Sequence, residues 1–222
     1  MQTILITGID KGIGKVIAQK FLSEDYFVIG TSLQNEVDFS DENLKVFQMD
    51  LLSDESIKNC VQEINNFNKK IDILINNAGV MVDKEETTVI KEKLRKTLEI
   101  NLIGTIDFTE QILSEINEGG HIINISSSAG SMSRTGRESR MPNHYPSYKI
   151  SKIALNMYTK TLALRLKDKI IVSSVHPGWV KTDMGGQEAN LTIKESVENI
   201  FNFAITKPET GQFWFKGEKY PW

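Results

Sequence analysis

The stretch Ile4-Leu-Ile-Thr-Gly-Ile-Asp-Lys-Gly-Ile-Gly14 predicts the first elements of the fold. It starts as a short apolar strand, continues as a turn with three glycines, and ends where a helical pattern begins. Glycines in such a turn allow positive φ and bring backbone N–H groups close to a pyrophosphate, which the helix N-terminus also attracts. The spacing is not that of the G-x-G-x-x-G fingerprint, yet its place between strand and helix predicts a dinucleotide site. The predicted contacts in this turn are Gly8, Gly12, Ile13 and Gly14.

Outward from this turn, short apolar runs alternate with amphipathic helical patterns. The predicted strands are 4–6, 27–29, 46–47, 71–75, 122–125, 170–172 and 212–215. Most of these runs are continuous, as in parallel strands that are covered on both faces. Apolar residues at i, i+3 and i+4 spacing predict helices around 13–21, 57–64, 94–102 and 150–157. This alternation predicts one α/β domain, residues 1–222, with a doubly wound, mainly parallel sheet of about seven strands and helices on both faces.

The composition is that of an ordinary globular protein, and it argues against several classes of function. The net charge of −3 is too small to indicate a nucleic-acid or acidic membrane partner. No apolar run approaches ~18 residues, so no membrane span is predicted. The chain starts with a strand and shows no leader pattern, so a cytoplasmic location is expected. Cys60, the single cysteine, lies on an apolar helical stripe, which predicts a buried thiol and excludes an internal disulfide.

A second informative feature is the pair Tyr148 and Lys152, four residues apart in a predicted helix. Side chains at this spacing share one helix face, and a cation held beside a phenol lowers the phenol pKa from about 10. The pair therefore predicts a group that gives or takes a proton near neutral pH, as hydride chemistry on a carbonyl or alcohol requires. Tyr145 and Lys149 have the same spacing, but Pro146 favours a helix that starts after Tyr145, so Tyr148 is preferred.

The residues after the second strand bear on the choice between NAD(H) and NADP(H). An NAD site typically has an acid about 20 residues after the glycines, which accepts a hydrogen bond from the ribose 2′-hydroxyl. Here Ser32 stands at the strand end, and Lys11 stands within the glycine turn. A missing carboxylate and an added cation both favour a 2′-phosphate, so NADP(H) is the preferred cofactor and NAD(H) the alternative. The other interpretation of Lys11 is a side chain that points into water.

Motifs along the chain resemble, in their order, those of the short-chain dehydrogenase/reductase family. The matching residues are Thr7-Gly8-x-x-x-Gly12-x-Gly14, Asp50-Leu51, Asn76-Asn-Ala-Gly79, Asn101, Asn124-Ile-Ser-Ser-x-x-Gly130, Tyr148-x-x-x-Lys152 and Pro177-Gly178. The segment 176–186 is most similar to the C-factor, sniffer and carbonyl-reductase members. Each motif alone is weak, but together they cover essentially the whole chain. The resemblance implies a Rossmann fold and an NADP(H)-dependent oxidoreductase that transfers a hydride between nicotinamide and a carbonyl or alcohol substrate.

The resemblance also assigns catalytic roles. Ser127 is implied to polarise the substrate carbonyl, and Tyr148 to act as the general acid in reduction. Lys152 is implied to lower the pKa of the tyrosine and to contact the nicotinamide ribose. Asn101 is implied to interrupt its helix and to hold a water that links Lys152 to solvent. The alternative for Asn101 is a buried amide with satisfied hydrogen bonds.

Further cofactor contacts are implied by the matched motifs. They are Asp50, Leu51, Asn77, Ala78, Gly79, Tyr148, Lys152, Pro177, Gly178, Val180 and Thr182. His144 and His176 are interpreted as structural residues, and no metal site is predicted. Two alternatives to a carbonyl reductase stay open: a 3-oxoacyl-thioester reductase, and a non-catalytic, cofactor-binding signalling protein of the C-factor type.

An insertion at 131–146 departs from the family pattern, because it places Tyr148 farther after Ser127 than in most members. The insertion would lie beside the substrate pocket. Its arginines, Arg134, Arg137 and Arg140, are candidates to receive an acidic or phosphate-bearing substrate. A solvated loop is the alternative.

Two neighbouring helical stretches, around 93–116 and 148–166, carry apolar residues beyond one core-facing stripe. These residues include Phe108, Met157, Tyr158 and Leu162. Extra apolar surface on neighbouring helices predicts a two-fold homodimer interface, a mode that the resemblance also implies. The insertion 131–146 is of the kind that covers this surface in monomeric carbonyl-reductase-like members, so a monomer is the alternative. The other expected partner is a small carbonyl or alcohol substrate.

Overall fold

The structure is a computed structural model, and it describes residues 1–135 and 143–222. Its strands are β1 (Thr3–Thr7), β2 (Phe27–Ser32), β3 (Leu44–Gln48), β4 (Ile71–Asn76), β5 (Ile116–Ile125), β6 (Ile171–Val175), β7 (Gln212–Phe215) and β8 (Glu218–Lys219). Its α-helices are α1 (Gly12–Ser23), α2 (Asp54–Asn66), α3 (Lys91–Leu98), α4 (Thr105–Ile112), α5 (Pro146–Arg165) and α6 (Ile193–Ala204). A π-helical segment, Glu99–Gly104, joins α3 to α4, and short 3₁₀ turns lie at Leu113–Glu115 and Ser128–Gly130.

Within the described ranges the strands form one sheet, in the order β3-β2-β1-β4-β5-β6-β7-β8. Every pairing from β3 through β7 is parallel, and only the short β8 pairs antiparallel, with β7. The predicted doubly wound, mainly parallel α/β sheet is confirmed. The additional strand β8 follows a tight turn in which Lys216 and Gly217 both have positive φ, at 52° and 77°. Such a two-residue hairpin is too short to be recognised from hydrophobic pattern.

The core consists of two apolar layers, one on each face of the sheet. Successive residues of β1 point to opposite faces, so Ile4 and Ile6 pack with α1 and α6 while Leu5 packs with α2, α4 and α5. The predicted burial of Cys60 is confirmed, because it is 1% exposed and lies in the layer that contains Leu5. This burial raises the pKa of its thiol to about 12. Helix α6 was not among the predicted helices; it begins with a capping box between Thr192 and Glu195.

Candidate active site

The strand order reverses between β1 and β4, so a crevice is expected at the carboxyl ends of these two strands. Asn77 joins the strand ends, because its Nδ2 atom donates to the carbonyl oxygens of Thr7 and Gly8 at 2.9 and 3.0 Å. The Thr7 hydroxyl oxygen accepts from the backbone N–H groups of Asn77 and Ala78, both at 3.0 Å. The predicted residues Asn77 and Ala78 therefore lie against the glycine turn, with the Asn77 amide occupied by the backbone of that turn.

The glycine turn depends on positions that a side chain would strain or block. Gly8 and Gly12 have φ of 70° and 59°, a region that glycine adopts without steric cost. A Cβ atom on Gly14 would lie 2.1 Å from the carbonyl oxygen of Gly8, so α1 packs directly on the turn. Apart from its chain neighbours and the backbone of its own helix, no described residue comes within 4 Å of a Cβ placed on Gly12. This open space, beside the N–H groups that start α1, fits a dinucleotide pyrophosphate. Ile13 packs partly against the core.

The residues predicted to set the cofactor preference differ in exposure. Lys11 is the exposed N-cap of α1, whereas Ser32 is buried and its hydroxyl donates to the carbonyl oxygen of Glu36 at 3.3 Å. Asp38, in the loop after β2, forms an ion pair at 2.6 Å with Lys15 of α1, and the hydrogen bond from Lys15 lowers the pKa of Asp38. This pair was not predicted, because Asp38 lies beyond the end of β2, where an acid was expected.

The predicted contacts after β3 form a fixed bend. The Asp50 carboxylate accepts from the N–H of Leu52 at 2.9 Å, and the N–H of Asp50 donates to the Ser56 hydroxyl, also at 2.9 Å. Leu51 is buried, and a Cβ on Gly104 would lie 2.3 Å from its carbonyl oxygen. Gly104 therefore allows the π-helical segment to pack on this bend, a constraint that the sequence analysis did not find.

Helix α5 begins where the sequence analysis placed it. Pro146 occupies its first turn, and Tyr145 is the N-cap residue with a φ of 60°. Tyr148 and Lys152 therefore share a helix, while Tyr145 lies outside it. The preference for Tyr148 over Tyr145 as the first member of the pair agrees with this geometry.

Tyr148, Lys152 and Ser127 come together at the carboxyl end of β5. Lys152 is 5% exposed, and its Nζ atom donates to the carbonyl oxygen of Ile125 at 2.8 Å. The same Nζ atom lies 5.6 Å from the centroid of the Tyr148 ring. Ser127 begins the turn Ser128–Gly130 and accepts from the N–H of Ala129 at 3.2 Å.

The direction of the tyrosine pKa differs from the one that the pair Tyr148 and Lys152 predicts. Burial raises the pKa of Tyr148, and the hydrogen bond with Ser127 acts in the opposite direction. Burial also lowers the pKa of Lys152 to about 8. Desolvation of the buried phenol thus sets the net direction, and the lowering of this pKa by the Lys152 ammonium stays a prediction.

Asn101 lies in the π-helical segment and is buried. Its Oδ1 atom accepts from the N–H of Val80 at 2.7 Å, and its Nδ2 atom donates to the Val80 carbonyl at 2.8 Å and to the Ser151 hydroxyl at 3.1 Å. A Cβ on Gly79 would lie 3.1 Å from Asn101 Oδ1 and 3.7 Å from Lys152 Nζ. The helix is interrupted at Asn101 as expected, and the amide is satisfied by protein groups. The water link to Lys152 stays a prediction.

The predicted contacts after β6 form a second turn. The Pro177 carbonyl accepts from the Ser196 hydroxyl of α6 at 2.7 Å. Gly178 has a φ of 93° and a backbone N–H that donates to His176 Nδ1 at 3.3 Å, so His176 serves this turn as predicted. Val180 is buried and bridges to Leu191.

Thr182 closes the next turn of the chain. Its hydroxyl oxygen accepts from the N–H of Gly185 at 3.0 Å. In this turn the Trp179 indole N–H also donates to the Gly185 carbonyl, at 2.8 Å. Thr182 is therefore a turn-forming residue in the structure, and its contact with a cofactor stays a prediction.

Three polar residues around Tyr148 were missed in the sequence. Asp83 accepts from the Ser147 hydroxyl at 2.8 Å and from the Tyr148 N–H at 2.9 Å, and the Ser151 hydroxyl donates to the Tyr148 carbonyl at 2.8 Å. Ser147 and Ser151 immediately flank the pair, but nothing in the sequence connects Asp83 to them. Its burial within a polar loop becomes visible only in the fold.

The insertion is partly described. Arg137 and Arg140 lie outside the described residues, while the Arg134 guanidinium lies 5.1 Å from the ring centroid of Tyr220. The Ser131 hydroxyl donates to the Pro221 carbonyl at 2.8 Å. The start of the insertion therefore packs on the last residues of the chain, and the proposed contact of its arginines with substrate stays a prediction.

The surface proposed for a homodimer needs correction. Phe108 and Leu162 are core residues, buried in the layer on the α5 face of the sheet, and Tyr158 is half-buried with its hydroxyl on Glu110. Of the four apolar residues that were named, only Met157 is exposed, at 66%. The predicted contact surface was too large because Phe108 of α4 and Leu162 of α5 belong to the buried layer.

Comparisons with known proteins place the chain in a family. A family model described as short chain dehydrogenase matches residues 2–192. The chain belongs to this family. A 3-oxoacyl-[acyl-carrier-protein] reductase, FabG of Aquifex aeolicus, is 34% identical over 192 residues, which are 81% of this chain and 74% of the relative.

Solved structures of family members superpose over the whole chain. A short-chain dehydrogenase/reductase from Burkholderia multivorans with bound NADP has a TM-score of 0.89 at 25% identity and covers 100% of this chain and 99% of its own. The carbonyl reductase Sniffer of D. melanogaster has a TM-score of 0.86 at 27% identity, with 100% of both chains covered. The similarity to sniffer members that the sequence indicated is confirmed.

Two further features of the described residues concern metal sites and membrane-spanning helices. Across 1–135 and 143–222, no group of three or more histidine, cysteine or acidic side chains is arranged to hold a metal ion. In the same ranges, no helix combines the length and apolar character needed to cross a bilayer.

Proposed function

We propose that this short-chain dehydrogenase transfers a hydride between NADP(H) and a carbonyl or alcohol substrate. The observation that carries the proposal is the place of Ser127, Tyr148 and Lys152 at the end of β5: the Lys152 Nζ atom is held by the Ile125 carbonyl and lies 5.6 Å from the centroid of the Tyr148 ring. These side chains lie at the carboxyl end of β5, on the side of the sheet where parallel α/β folds bind their ligands. The bound nicotinamide would supply the hydride and accept it in the reverse reaction.

In the proposed reduction, two hydroxyl groups act on the substrate oxygen. The Ser127 hydroxyl donates a hydrogen bond to the carbonyl oxygen and stabilises the negative charge that develops there. Tyr148 gives its proton to that oxygen as the hydride reaches the carbonyl carbon, so the product is a neutral alcohol and the tyrosine is left as phenolate. The raised pKa of Tyr148 keeps the phenol protonated before the reaction, which suits an acid.

Lys152 acts on the phenolate that the proton transfer leaves on Tyr148. Its Nζ atom is buried and directed by the Ile125 carbonyl, and its pKa of about 8 lets it carry a positive charge at neutral pH. An ammonium at this distance stabilises the phenolate after the proton has left. We therefore assign to Lys152 the stabilisation of the phenolate that remains after the proton transfer.

The proposed preference for NADP(H) rests on the charge around the glycine turn. Lys11 is exposed at the start of α1, and Asp38 is occupied by Lys15. The similar structure from Burkholderia multivorans holds NADP, which supports the same choice here. A 2′-phosphate would meet the Lys11 ammonium, while the buried Ser32 contributes shape rather than charge.

The test of the proposed function is NADPH oxidation by wild type and by Tyr148→Phe, with a panel of aldehydes, ketones and quinones. Loss of turnover in Tyr148→Phe with unchanged NADPH affinity is expected, because only the transferable proton is removed. Tyr145→Phe is the matched control, since it removes a hydroxyl just before the same helix, and it is expected to keep turnover. Full activity of Tyr148→Phe would refute the mechanism. Normal NADPH binding without turnover of any substrate by the wild type would favour a signalling role instead.

A second candidate is the reduction of 3-oxoacyl thioesters. The similarity to the Aquifex aeolicus 3-oxoacyl-[acyl-carrier-protein] reductase favours it, because that relative matches most of both chains. Acetoacetyl thioesters in the same assay distinguish the two. A kcat/KM for the thioester well above that for simple aldehydes and quinones would select this candidate.

A further inference from the structure

Asp83 is a buried carboxylate outside every sequence motif of the site. It lies in the segment between β4 and α3 and is 3% exposed. Its Oδ1 atom accepts from the Ser147 hydroxyl at 2.8 Å, and its Oδ2 atom accepts from the Tyr148 backbone N–H at 2.9 Å. Both oxygens are thus directed at the first turn of α5, more than 60 residues away in sequence, where the tyrosine is carried.

The first turn of α5 depends on a partner from elsewhere in the chain. Pro146 lacks an N–H, and Tyr145, the N-cap residue, makes no side-chain capping bond. The remaining N–H groups of a helix start require acceptors, and a negative charge is favourable there because of the helix dipole. Ser147 is fully buried, so Asp83 also supplies the partner of its hydroxyl. Asp83 therefore caps the N-terminus of α5, although it is distant from this helix in sequence.

The backbone of Tyr148 is held on both sides by this arrangement. Its N–H donates to Asp83, and its carbonyl accepts from the Ser151 hydroxyl at 2.8 Å. Ser151 in turn accepts from Asn101, whose amide pairs twice with the backbone of Val80. Val80 and Asp83 belong to the same segment, three residues apart. This short segment therefore fixes the residue from which the phenol projects.

We infer that Asp83 is a positioning residue for Tyr148, and the inference rests on the proposed function. The Asp83 carboxylate bonds to the Ser147 hydroxyl and to the Tyr148 backbone rather than to the phenol. Its two hydrogen bonds fix the start of α5, and with it the place of the Tyr148 hydroxyl relative to Ser127. A displacement of about 1 Å at a reacting group is sufficient to lower a rate by about 10²-fold.

The test compares Asp83→Ala with Asp83→Asn. Both variants lack the negative charge, so a difference between them reports geometry alone. Asparagine retains an oxygen that can accept from the Tyr148 N–H, whereas alanine does not. We expect kcat to fall by about 10²-fold in Asp83→Ala and to recover most of that loss in Asp83→Asn. The KM and the Kd for NADPH are expected to stay near the wild-type values in both.

Asp72→Ala is the matched control. The Asp72 carboxylate also accepts two hydrogen bonds, from the Thr3 N–H at 2.8 Å and from Asn117 Nδ2 at 2.9 Å, but at the opposite end of the sheet. Its loss is expected to lower the thermal midpoint and leave kcat unchanged. If Asp83→Ala behaves in the same way, with wild-type kcat in the folded protein, Asp83 is merely structural and the inference is wrong.

A readout without turnover separates this inference from the proposed function. Tyrosine labelled with a carbon isotope gives the ionisation of Tyr148 by NMR, with Tyr148→Phe identifying its signal. A higher Tyr148 pKa in Asp83→Ala than in Asp83→Asn is expected, because the Ser127 hydrogen bond is lost with the geometry. Equal titration curves would overturn the inference, even if no substrate is turned over. Should Asp83→Ala not fold, Ser147→Ala removes the Oδ1 bond only, and a wild-type Tyr148 pKa and kcat in it would likewise overturn the inference.

Discussion

The two sides of the crevice are held together by different kinds of contact. On the β1–β4 side, hydrogen bonds of Asn77 and Thr7 accompany very close packing: the Gly14 position lies against the Gly8 carbonyl, and the Gly8 position against Ala78. On the β5–α5 side, side chains such as Asp83 and Asn101 bridge segments that are distant in sequence. The first side is therefore more sensitive to an added atom, and the second to a lost one.

Gly14→Ala is expected to have the largest effect, because it weakens both the fold and the cofactor site. The new Cβ would lie 2.1 Å from the Gly8 carbonyl oxygen and 2.3 Å from Asn77 Nδ2, so α1 and the turn must separate. Overpacking of this kind costs about 1–3 kcal/mol or more. Because the turn itself moves, NADPH affinity is expected to fall as well. Urea unfolding and a fluorescence titration with NADPH measure the two effects.

Gly12→Ala is the control for Gly14→Ala. Apart from its chain neighbours and the backbone of its own helix, a Cβ there meets no described residue within 4 Å, so its cost arises from the φ of 59° alone, about 1–2 kcal/mol. The turn can stay in place, and NADPH affinity is expected to change less. Wild-type NADPH affinity in Gly14→Ala would show that the turn tolerates the added atom.

The next effect is a loss of stability in acid, to which His121 on the β5 side contributes. Its Nδ1–H donates to the Ala204 carbonyl at 3.3 Å, and its Nε2 atom accepts from the Ser173 hydroxyl at 2.9 Å. Burial lowers the pKa of His121 to about 4, whereas the unfolded chain has a value near 6.5. The unfolded state therefore binds the extra proton as the pH falls from 6.5 to 4, and about 3 kcal/mol of stability is lost over that range.

Urea unfolding at several pH values measures this loss, with His121→Asn as the comparison. Asparagine has no titrating group, so the variant is expected to lose less stability between pH 6.5 and pH 4 than the wild type. Parallel curves for the two proteins would show that other groups cause the acid sensitivity.

The glycine turn and the contacts of His121 differ in how far the sequence predicts them. The glycine turn follows from neighbouring residues, since strand, glycines and helix are consecutive, and its approximate shape was predicted. The contacts of His121 and Asp83 join residues that only the completed sheet brings together, and neither was predicted. The rise of the Tyr148 pKa on burial was not predicted for the same reason, because burial is a property of the fold and not of a spacing.

A smaller effect is expected for cofactor choice. Lys11→Ala is expected to weaken NADPH binding about tenfold and to leave NADH binding nearly unchanged, because only a 2′-phosphate contact is lost. Lys20→Ala, in the last turn of the same helix, controls for the loss of one positive charge. Equal Kd values for NADPH in Lys11→Ala and wild type would refute the preference.

The complementary substitution belongs at Leu33 and not at Ser32. Ser32 is buried, so Ser32→Asp would place a carboxylate inside the protein, whereas Leu33 is 59% exposed. Leu33→Asp is expected to shift preference towards NADH by repelling the 2′-phosphate. The ratio of the two Kd values, measured beside the wild-type ratio, gives the result.

The smallest effect on activity is expected at the outer face of α5. Ile150, Met157 and Leu164 are exposed and seven residues apart, so they form one stripe along the helix. We propose that this stripe is the homodimer contact. Light scattering is expected to give twice the chain mass of 25.1 kDa for the wild type and the chain mass for Met157→Glu. A wild-type mass of one chain would refute the dimer.

The π-helical segment Glu99–Gly104 makes this stretch sensitive to the number of its residues as well as to their kinds. A π-helical turn holds one residue more than an α-helical turn, so deleting one residue of the segment would let α3 run into α4 as a continuous α-helix. The register of α4 would be kept, and Thr109 would still accept from the Asn76 amide. Asn101, however, would no longer be turned towards Val80. The number of residues in this segment therefore decides where the Asn101 amide points, and not whether the helix forms.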